Sequence, residues 1–514
     1  MSRYLGLETE YGIATPGHEE VSPIITSTHA VVAYAAAHTE HRPRWDYAEE
    51  SPLKDTRGYD LKRYHNVPVV DANAVGVASM MLPNGARFYV DHAHPEYSTP
   101  ECSNAWQAMV YDAAGNLVVD KARSIIDELY AQGVSTLKGH PACPPLKLYK
   151  NNVDGKGASY GSHENYLYSR STNFDTLAAA LIPFFVARIV VIGAGRMGIG
   201  ERGEESGFQI SQRADYFMQE ISLETTLNRG IINTRDEPHA AFDHFRRLHV
   251  IVGDANMSQT SNLLKVGMTS LVIDAIENGV DFSDLALVDP VSELKNFSRD
   301  LSLTRKARLK DDRELTALEI LAEYRSRVEG RTDVDKQVLE LWDEATGLLA
   351  EEPLSAAHLL DWVAKWKLIS TYIDRGIPVN SPKLQLIDLQ YTDIDPAKGL
   401  YYALLRAGRM RALATPEEIA RAAKTPPEET RAWFRGILAS EFASHVVASS
   451  WQNVIVEGRD GHVRIDMPTV DALNKTAVGA LVDDASGDID ALLDALAVYV
   501  ETEETHIPVQ VTPL

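Results

Sequence analysis

Cysteine is almost missing: Cys102 and Cys143 are the only two in 514 residues, and no CxxC spacing occurs. That removes support for a disulfide framework and for a cysteine-rich zinc site. Positive charge is also scarce, with 50 lysines and arginines against 73 aspartates and glutamates and a formal charge of −23. This deficit argues against general affinity for nucleic acid or an anionic membrane, while leaving room for a local basic groove. No run of about 18 apolar residues exists, and Met1-Ser2-Arg3-Tyr4 leads straight into structured-looking sequence. Neither a membrane span nor a signal peptide is therefore expected, and the chain reads as cytoplasmic. No internal repeat stands out.

What is present is ordinary for a globular protein, at 45% hydrophobic and 24% charged residues. The length exceeds one small core, so a large domain over 1–425 and a small C-terminal one over 426–514 are expected. The most informative stretch runs from Asn84 to Glu96. Asn84-Gly85 is a turn signal, and Arg87-Phe88-Tyr89-Val90-Asp91 alternates like a strand. Arg87, Tyr89 and Asp91 then share one face, too polar to bury without a partner or ligand, while Phe88 and Val90 face a core. Pro95 is expected to stop the ladder and leave Glu96 just past the strand end. A second strand at 4–13 puts Glu8 and Glu10 on one face, about 7 Å apart, where a cation is the simplest relief of their repulsion. The plainer reading of that segment is an exposed edge strand.

Between them, Ser27-Thr28 caps a short helix to about His38, and 40–80 loses periodicity. That length of irregular chain reads as a mobile, partly ordered loop at the mouth of a site. Helices are expected at about 106–132, 172–191 (interrupted by Pro183), 259–278 behind Ser258, 298–350, 354–375, 435–442 and 487–501. Strands are expected at 146–150, 158–168, 207–212, 230–233, 247–253 and 452–466. In the second of these, His163 and Asn165 share a face opposite Tyr160, Ser162 and Glu164. The architecture is therefore α+β, with helices packed on an antiparallel or mixed sheet. Gly193-Ala194-Gly195-Arg196-Met197-Gly198 matches a dinucleotide fingerprint, but a helical run precedes it and more glycine follows, so a flexible loop after a helix is expected.

The polar faces together supply Glu8, Glu10, Tyr89, Asp91, Glu96, His163 and His249, with Arg87, Arg213 and Arg235 nearby in the pattern. Acidic oxygen ligands suit Mg²⁺ shared with substrate phosphates, and arginines suit those phosphates. The combination points to a nucleotide held through metal on a sheet face.

Four ordered motifs carry a resemblance: Gly-Leu-Glu-Thr-Glu-Tyr-Gly at 6–12, Asn-Gly-Ala-Arg-Phe-Tyr-Val-Asp-His-Ala-His-Pro-Glu-Tyr at 84–97, Tyr-Gly-Ser-His-Glu-Asn-Tyr at 160–166 and Arg-Gly-Ile-Ile-Asn-Thr-Arg-Asp-Glu-Pro-His at 229–239. To about residue 465 the chain resembles the pupylation enzymes, relatives of glutamine synthetase and the carboxylate-amine ligases. The resemblance implies a glutamine-synthetase-like domain, with helices on a curved, mostly antiparallel sheet, plus the small C-terminal domain. It implies that Glu8, Tyr89 and Glu96, with Glu10, hold Mg²⁺, and that Arg87, Thr99 and Trp451 contact ATP, or ADP with phosphate. Arg213, Arg235, His163 and His249 would line the phosphate and γ-glutamyl region, and Asp91 would be the catalytic carboxylate. The 40–80 insertion and Asp-His-Ala-His-Pro-Glu resemble the hydrolase branch of the family. That branch deamidates the C-terminal glutamine of Pup and cleaves the isopeptide bond between Pup and a substrate lysine; the other branch ligates Pup. Pup and pupylated proteins are the implied partners, with a monomer among the open oligomeric states. A basic groove for acidic Pup would fall at Arg305–Lys310 or on the 40–80 loop, the first reading more simply as solvated loop. A small-molecule glutamate-amine ligase and a non-catalytic nucleotide-binding protein are the remaining alternatives.

Overall fold

In a computed structural model, which describes residues 3–38, 43–47, 50, 54–57, 74–502 and 509–514, the polar motifs at 6–12, 84–97 and 160–166 meet on one antiparallel sheet, while Arg229–Asn233 of the fourth pairs in parallel with Phe217–Ser222. Its six strands, in chain order, are β1 (Leu5–Glu10), β2 (Ser79–Met81), β3 (Arg87–Asp91), β4 (His94–Ser98), β5 (Ser162–Ser169) and β6 (Phe245–Val250). They lie in the order β6-β5-β1-β4-β3-β2, and every neighbouring pair is antiparallel. One face is apolar: Leu5, Leu7, Phe88, Val90, Tyr97, Tyr166 and Leu248 are all buried. Helices α1 (Pro23–His38) and α2 (Ala105–Ala131) cover the β3–β4 part of that face, and α3 (Phe174–Ile192) and α4 (Gln259–Glu277) continue the core beyond them. Such alternation is what a sheet packed on one side and open on the other requires.

Close packing leaves little slack where α2 crosses β4. A Cβ on Gly115 would sit 2.4 Å from Tyr97 Cδ1. Gly115→Ala is expected to destabilise the protein by about 1–3 kcal/mol through overpacking, measurable as a lower urea midpoint.

Several expectations are corrected. Pro95 does not end the ladder: the chain turns at His92-Ala93, and Pro95 and Glu96 belong to β4. Proline is tolerated because its carbonyl, which still accepts from Tyr11 N at 2.9 Å, is the group used there. Helix α1 begins at Pro23 rather than Thr28. Helix α3 runs through Pro183 unbroken, held by burial on nearly all sides. Long and apolar enough on composition to cross a bilayer, α3 is instead a core helix whose Arg188 is wholly buried against Glu164. The segment after α3 is an ordered hairpin, Arg196–Ile199 with Glu205–Gln209, not a flexible loop; the helix-then-strand order is the reverse of a dinucleotide site. Residues 298–316 are largely non-helical, with Lys306–Arg308 pairing Glu314–Thr316. Further helices at Pro382–Tyr391, Leu400–Arg406, Pro416–Ala422 and Lys475–Ala485 were not anticipated.

Most of the 40–80 segment lies outside the described residues. Three pieces are placed: Arg44–Trp45 pairs in parallel with Ala448–Ser449, Asp55 bridges to Arg235, and Ser79–Met80 enter the central sheet as the start of β2. The first makes residues 44–45 the edge strand of a second, five-stranded sheet built otherwise from 446–513. That sheet and helices Ala432–Glu441, Lys475–Ala485 and Ile489–Thr502 share a separate apolar cluster.

Candidate active site

Register assembles the site. Residues directly opposite on antiparallel neighbours point to the same face. Glu8 stands between Ser98 and His163, and Ser98 faces Arg87 in turn. One step along, Glu10, Glu96, Tyr89 and Ser79 form a second row. Asp91 opposes His94 at the hairpin end, and Gly6, Asn165 and His249 form a third row.

Two ligand-capable triads result. The oxygens or ring nitrogens of Glu8, His163 and His249 lie within 4.8 Å of one another, as do the carboxylate oxygens of Glu10, Asp91 and Glu96. In the first, His163 Nδ1 is 3.0 Å from Glu8 Oε2, Asn165 Nδ2 donates to Glu8 Oε1 at 2.9 Å, and His249 Nδ1 is 2.9 Å from Asn165 Oδ1. Because the Asn165 amide spends its N–H on Glu8, its oxygen must accept from His249, which assigns the proton to Nδ1 and a free lone pair to Nε2. His249 Nε2 is buried and has no partner among the described residues. Burial, then Arg247 and His163, holds this imidazole well below its ordinary value, so it stays neutral. Burial pushes Glu8 up, but the hydrogen bond from His163, the two neighbouring imidazoles and Arg247 outweigh it and hold the carboxyl well below its ordinary value, so Glu8 stays ionised.

The second triad is unbalanced in the opposite sense. Burial, followed by the charges of Asp91, Glu10 and Glu8, drives the Glu96 carboxyl well above the usual range. A buried carboxyl crowded by three others is the electrostatic signature of a place that wants a cation. Tyr89 beside it is raised well above the ordinary phenol value by burial, then Glu96 and Glu8, and accepts from Ser98 Oγ at 3.3 Å. Glu10 is fixed by Gly161 N at 2.7 Å and lies 3.0 Å from His94 Nδ1. At the rim Asp91 is partly exposed; burial raises it, but the hydrogen bond and charge of His92, 3.1 Å away, bring it below the usual range. His92 in return rises to about 9, through that same hydrogen bond first. The donor set therefore fits a hard divalent cation with one or two imidazoles in reach.

Beside the triads opens a cleft of about 570 Å³, its mouth included, lined by Gly6, Glu8, Thr99, Arg247, Arg431 and Trp451 among others. Thr99 Oγ1 accepts from Leu7 N at 3.0 Å, which ties the cleft to β1. Arg87 carries its guanidinium carbon over both the Trp45 and Tyr89 rings, 3.9 and 4.0 Å from their centroids. Arg235 is close enough to be influenced by Glu8 and Asp91, and its buried Nε has no partner among the described residues. Arg213 differs: fully buried, it donates to the carbonyls of Ile251 and Gly253 and to Ser159, so its donors serve the backbone. In the basic cluster at 305–310, Arg305 pairs with Glu293 and Arg308 with Asp312.

Arg247 and His94 were overlooked from sequence. Arg247 donates to Asn165 Oδ1 at 3.2 Å and sits 3.7 Å from Glu8, and its signal was available: it precedes His249 by two on the same strand.

Comparison with known proteins gives a consistent picture. The family model described as Pup-ligase protein matches residues 3–455. A protein of Mycolicibacterium smegmatis called Pup deamidase/depupylase is 49% identical over 95% of this chain and 99% of its own length. One from Acidothermus cellulolyticus called depupylase is 45% identical over 94% and 97%. A Pup–protein ligase of a Nocardioides species is 40% identical over 70% and 80%. Among solved structures, the complex of Pup with its ligase PafA matches with a TM-score of 0.76 at 30% identity, covering 98% of this chain and 96% of that one. PafA with ADP matches with a TM-score of 0.72 at 31% identity, over 83% and 97%.

Proposed function

The chain belongs to the Pup-ligase protein family, and on that premise we propose that it is a nucleotide- and magnesium-dependent hydrolase of Pup. It deamidates the C-terminal glutamine of Pup to glutamate and cleaves the isopeptide bond between that γ-carboxyl and a substrate lysine. The observation that carries this reading is the gathering of Glu10, Asp91 and Glu96 beside Glu8, His163 and His249 on one open sheet face.

Glu8, Glu10, Glu96 and the neutral oxygen of Tyr89 would hold Mg²⁺. The cation supplies Lewis acidity for an amide carbonyl and neutralises phosphates. Thr99, Trp451 and Arg87 bind the nucleotide, whose ADP form is present in the related ligase. Arg235, His163 and His249 border the place for the γ-glutamyl group. Asp91, partly exposed at the rim and ionised, is the group able to take a proton from the attacking species. Hydrolysing an amide needs no energy input, so the nucleotide serves as cofactor. Cleavage is favoured over ligation because the hydrolase relatives match at higher identity over nearly full length, the ligases over 70% of the chain.

Pup ending in glutamine tests this directly. Ammonia release and a glutamate-ended product support the hydrolase; conjugation of glutamate-ended Pup with stoichiometric ADP would replace it by the ligase. The cation is tested separately. Crowded carboxylates around Glu96 repel until neutralised, so Mg²⁺ at 100 times its dissociation constant is expected to stabilise the EDTA-treated protein by about 2.7 kcal/mol, read as a higher Tm. Glu96→Gln should shrink that gain; an equal gain in both proteins removes Glu96 from the metal set.

A further inference from the structure

Arg87 is held in part by two residues to which nothing above gives a role, Trp45 and Tyr47. Its guanidinium lies over both the Trp45 and Tyr89 rings, its Nε donates to Ser79 Oγ at 3.0 Å and its Nη2 to Tyr47 Oη at 3.0 Å. Nη1 finds no acceptor among the described residues, although the side chain is buried. Trp45 in turn packs edge-on against Trp451, with ring centroids 5.3 Å apart, and Arg435 lies 5.0 Å over Trp451. Arginine and aromatic groups thus follow one another without a gap: Arg435, Trp451, Trp45, Arg87, Tyr89. Trp45 cannot drift, because Arg44–Trp45 is paired with Ala448–Ser449 and Trp45 Nε1 donates to Glu50 at 2.7 Å.

We propose that Trp45 and Tyr47 are positioning residues of the nucleotide site: they fix the plane of Arg87 so that its remaining donor meets the anionic part of a nucleotide. A lone arginine samples many rotamers and loses that freedom on binding. Two ring faces and two in-plane acceptors remove it beforehand. The same stack links Trp451, in the turn between strands Val446–Ser449 and Asn453–Gly458 of the C-terminal sheet, to Arg87, on the catalytic strand, through one indole. The second sheet therefore completes the nucleotide site through Trp45.

This inference rests on the nucleotide reading above, and one set of measurements separates the two. Calorimetric titration of the full-length protein with Mg·ADP is combined with the ATP concentration giving half-maximal ammonia release from Pup ending in glutamine. Trp45→Ala is expected to weaken ADP by about tenfold, the size of a desolvated cation–π contact, with half-maximal ATP rising more than kcat falls. Trp45→Phe keeps a ring face and should recover to within about threefold of wild type. Tyr47→Phe removes one hydroxyl from a partly exposed ring and should weaken ADP about threefold, so the idea survives testing even if Trp45→Ala does not fold. Wild-type affinity in Tyr47→Phe overturns the inference if Trp45→Ala does not fold; if it folds, normal affinity in both variants, or a loss of kcat and Tm without a change in half-maximal ATP, overturns it. Absence of ADP binding by the wild-type protein overturns the nucleotide reading and the inference together.

Discussion

Asp91→Asn is expected to lower both ammonia release from Pup and cleavage of a Pup conjugate by about 10²-fold or more, the usual cost of a lost acid–base group. Asparagine has the same shape, so the His92-Ala93 turn and the pairing of residue 91 with His94 are retained. It has no basic oxygen to take a proton. In the wild-type protein, Asp91 reaches neutral pH already ionised, because the contact with His92 outweighs its partial burial. Thr99 and Trp451 lie along the cleft and not at the hairpin end, so ADP affinity should survive. Calorimetry with Mg·ADP beside an ammonia assay separates the outcomes: near-normal turnover removes Asp91 from the reaction, and loss of ADP binding makes it a ligand-binding group instead.

The polar faces were legible because a strand has a period of two. Glu8 with Glu10, Arg87 with Tyr89 and Asp91, and His163 with Asn165 each follow from alternation alone. Which strands lie side by side does not follow from that rule. Placing Glu8 between Ser98 and His163 needs the register of β1 against β4 and β5, residues about ninety and more than one hundred and fifty positions away, and this belongs to tertiary packing. Arg247 was missed for the same reason, since its strand gains meaning only beside Asn165. The charged run at 298–316 looked helical because exposed hairpins carry no apolar period; Lys306–Arg308 and Glu314–Thr316 bury little more than Ala307 between them. Trp45 gave no hint of its partners. Its pairing with Ser449 spans most of the chain, beyond anything local propensity encodes. Motif resemblance reached the site residues by another route, since four separated sequences are read together, but it could not reveal the clamp on Arg87.

Glu101→Ala is expected to cost about 3–5 kcal/mol of stability, the cost of breaking a buried ion pair from one side. Glu101 accepts from Arg431 Nε at 2.9 Å and from Arg435 Nη1 at 3.1 Å, with a further close contact to Arg435 Nη2. Both arginines are essentially buried, and they also hold Gly85 O, Trp451 O and Met467 O. Alanine would leave two guanidiniums facing each other without a counter-charge, and with them the seat of Trp451. The pH dependence follows in sign. Burial raises the Glu101 carboxyl, but the charges and hydrogen bonds of Arg435 and Arg431 outweigh it and bring the group from 4.5 to about 2. Arg431 itself is lowered, by burial first, yet a guanidinium remains charged at any pH of interest, so the carboxylate alone titrates. A group depressed on folding stabilises fully above its unfolded value, near 4.5, and loses that contribution as pH falls through about 2. That contribution is at most about 3.4 kcal/mol at 1.36 kcal/mol per unit, less in practice because part of the side chain faces the cleft. Urea midpoints of wild type and Glu101→Gln between pH 6 and 3 should therefore converge as the pH falls. Parallel curves would show that the cluster is held by its carbonyl contacts, with Glu101 a bystander.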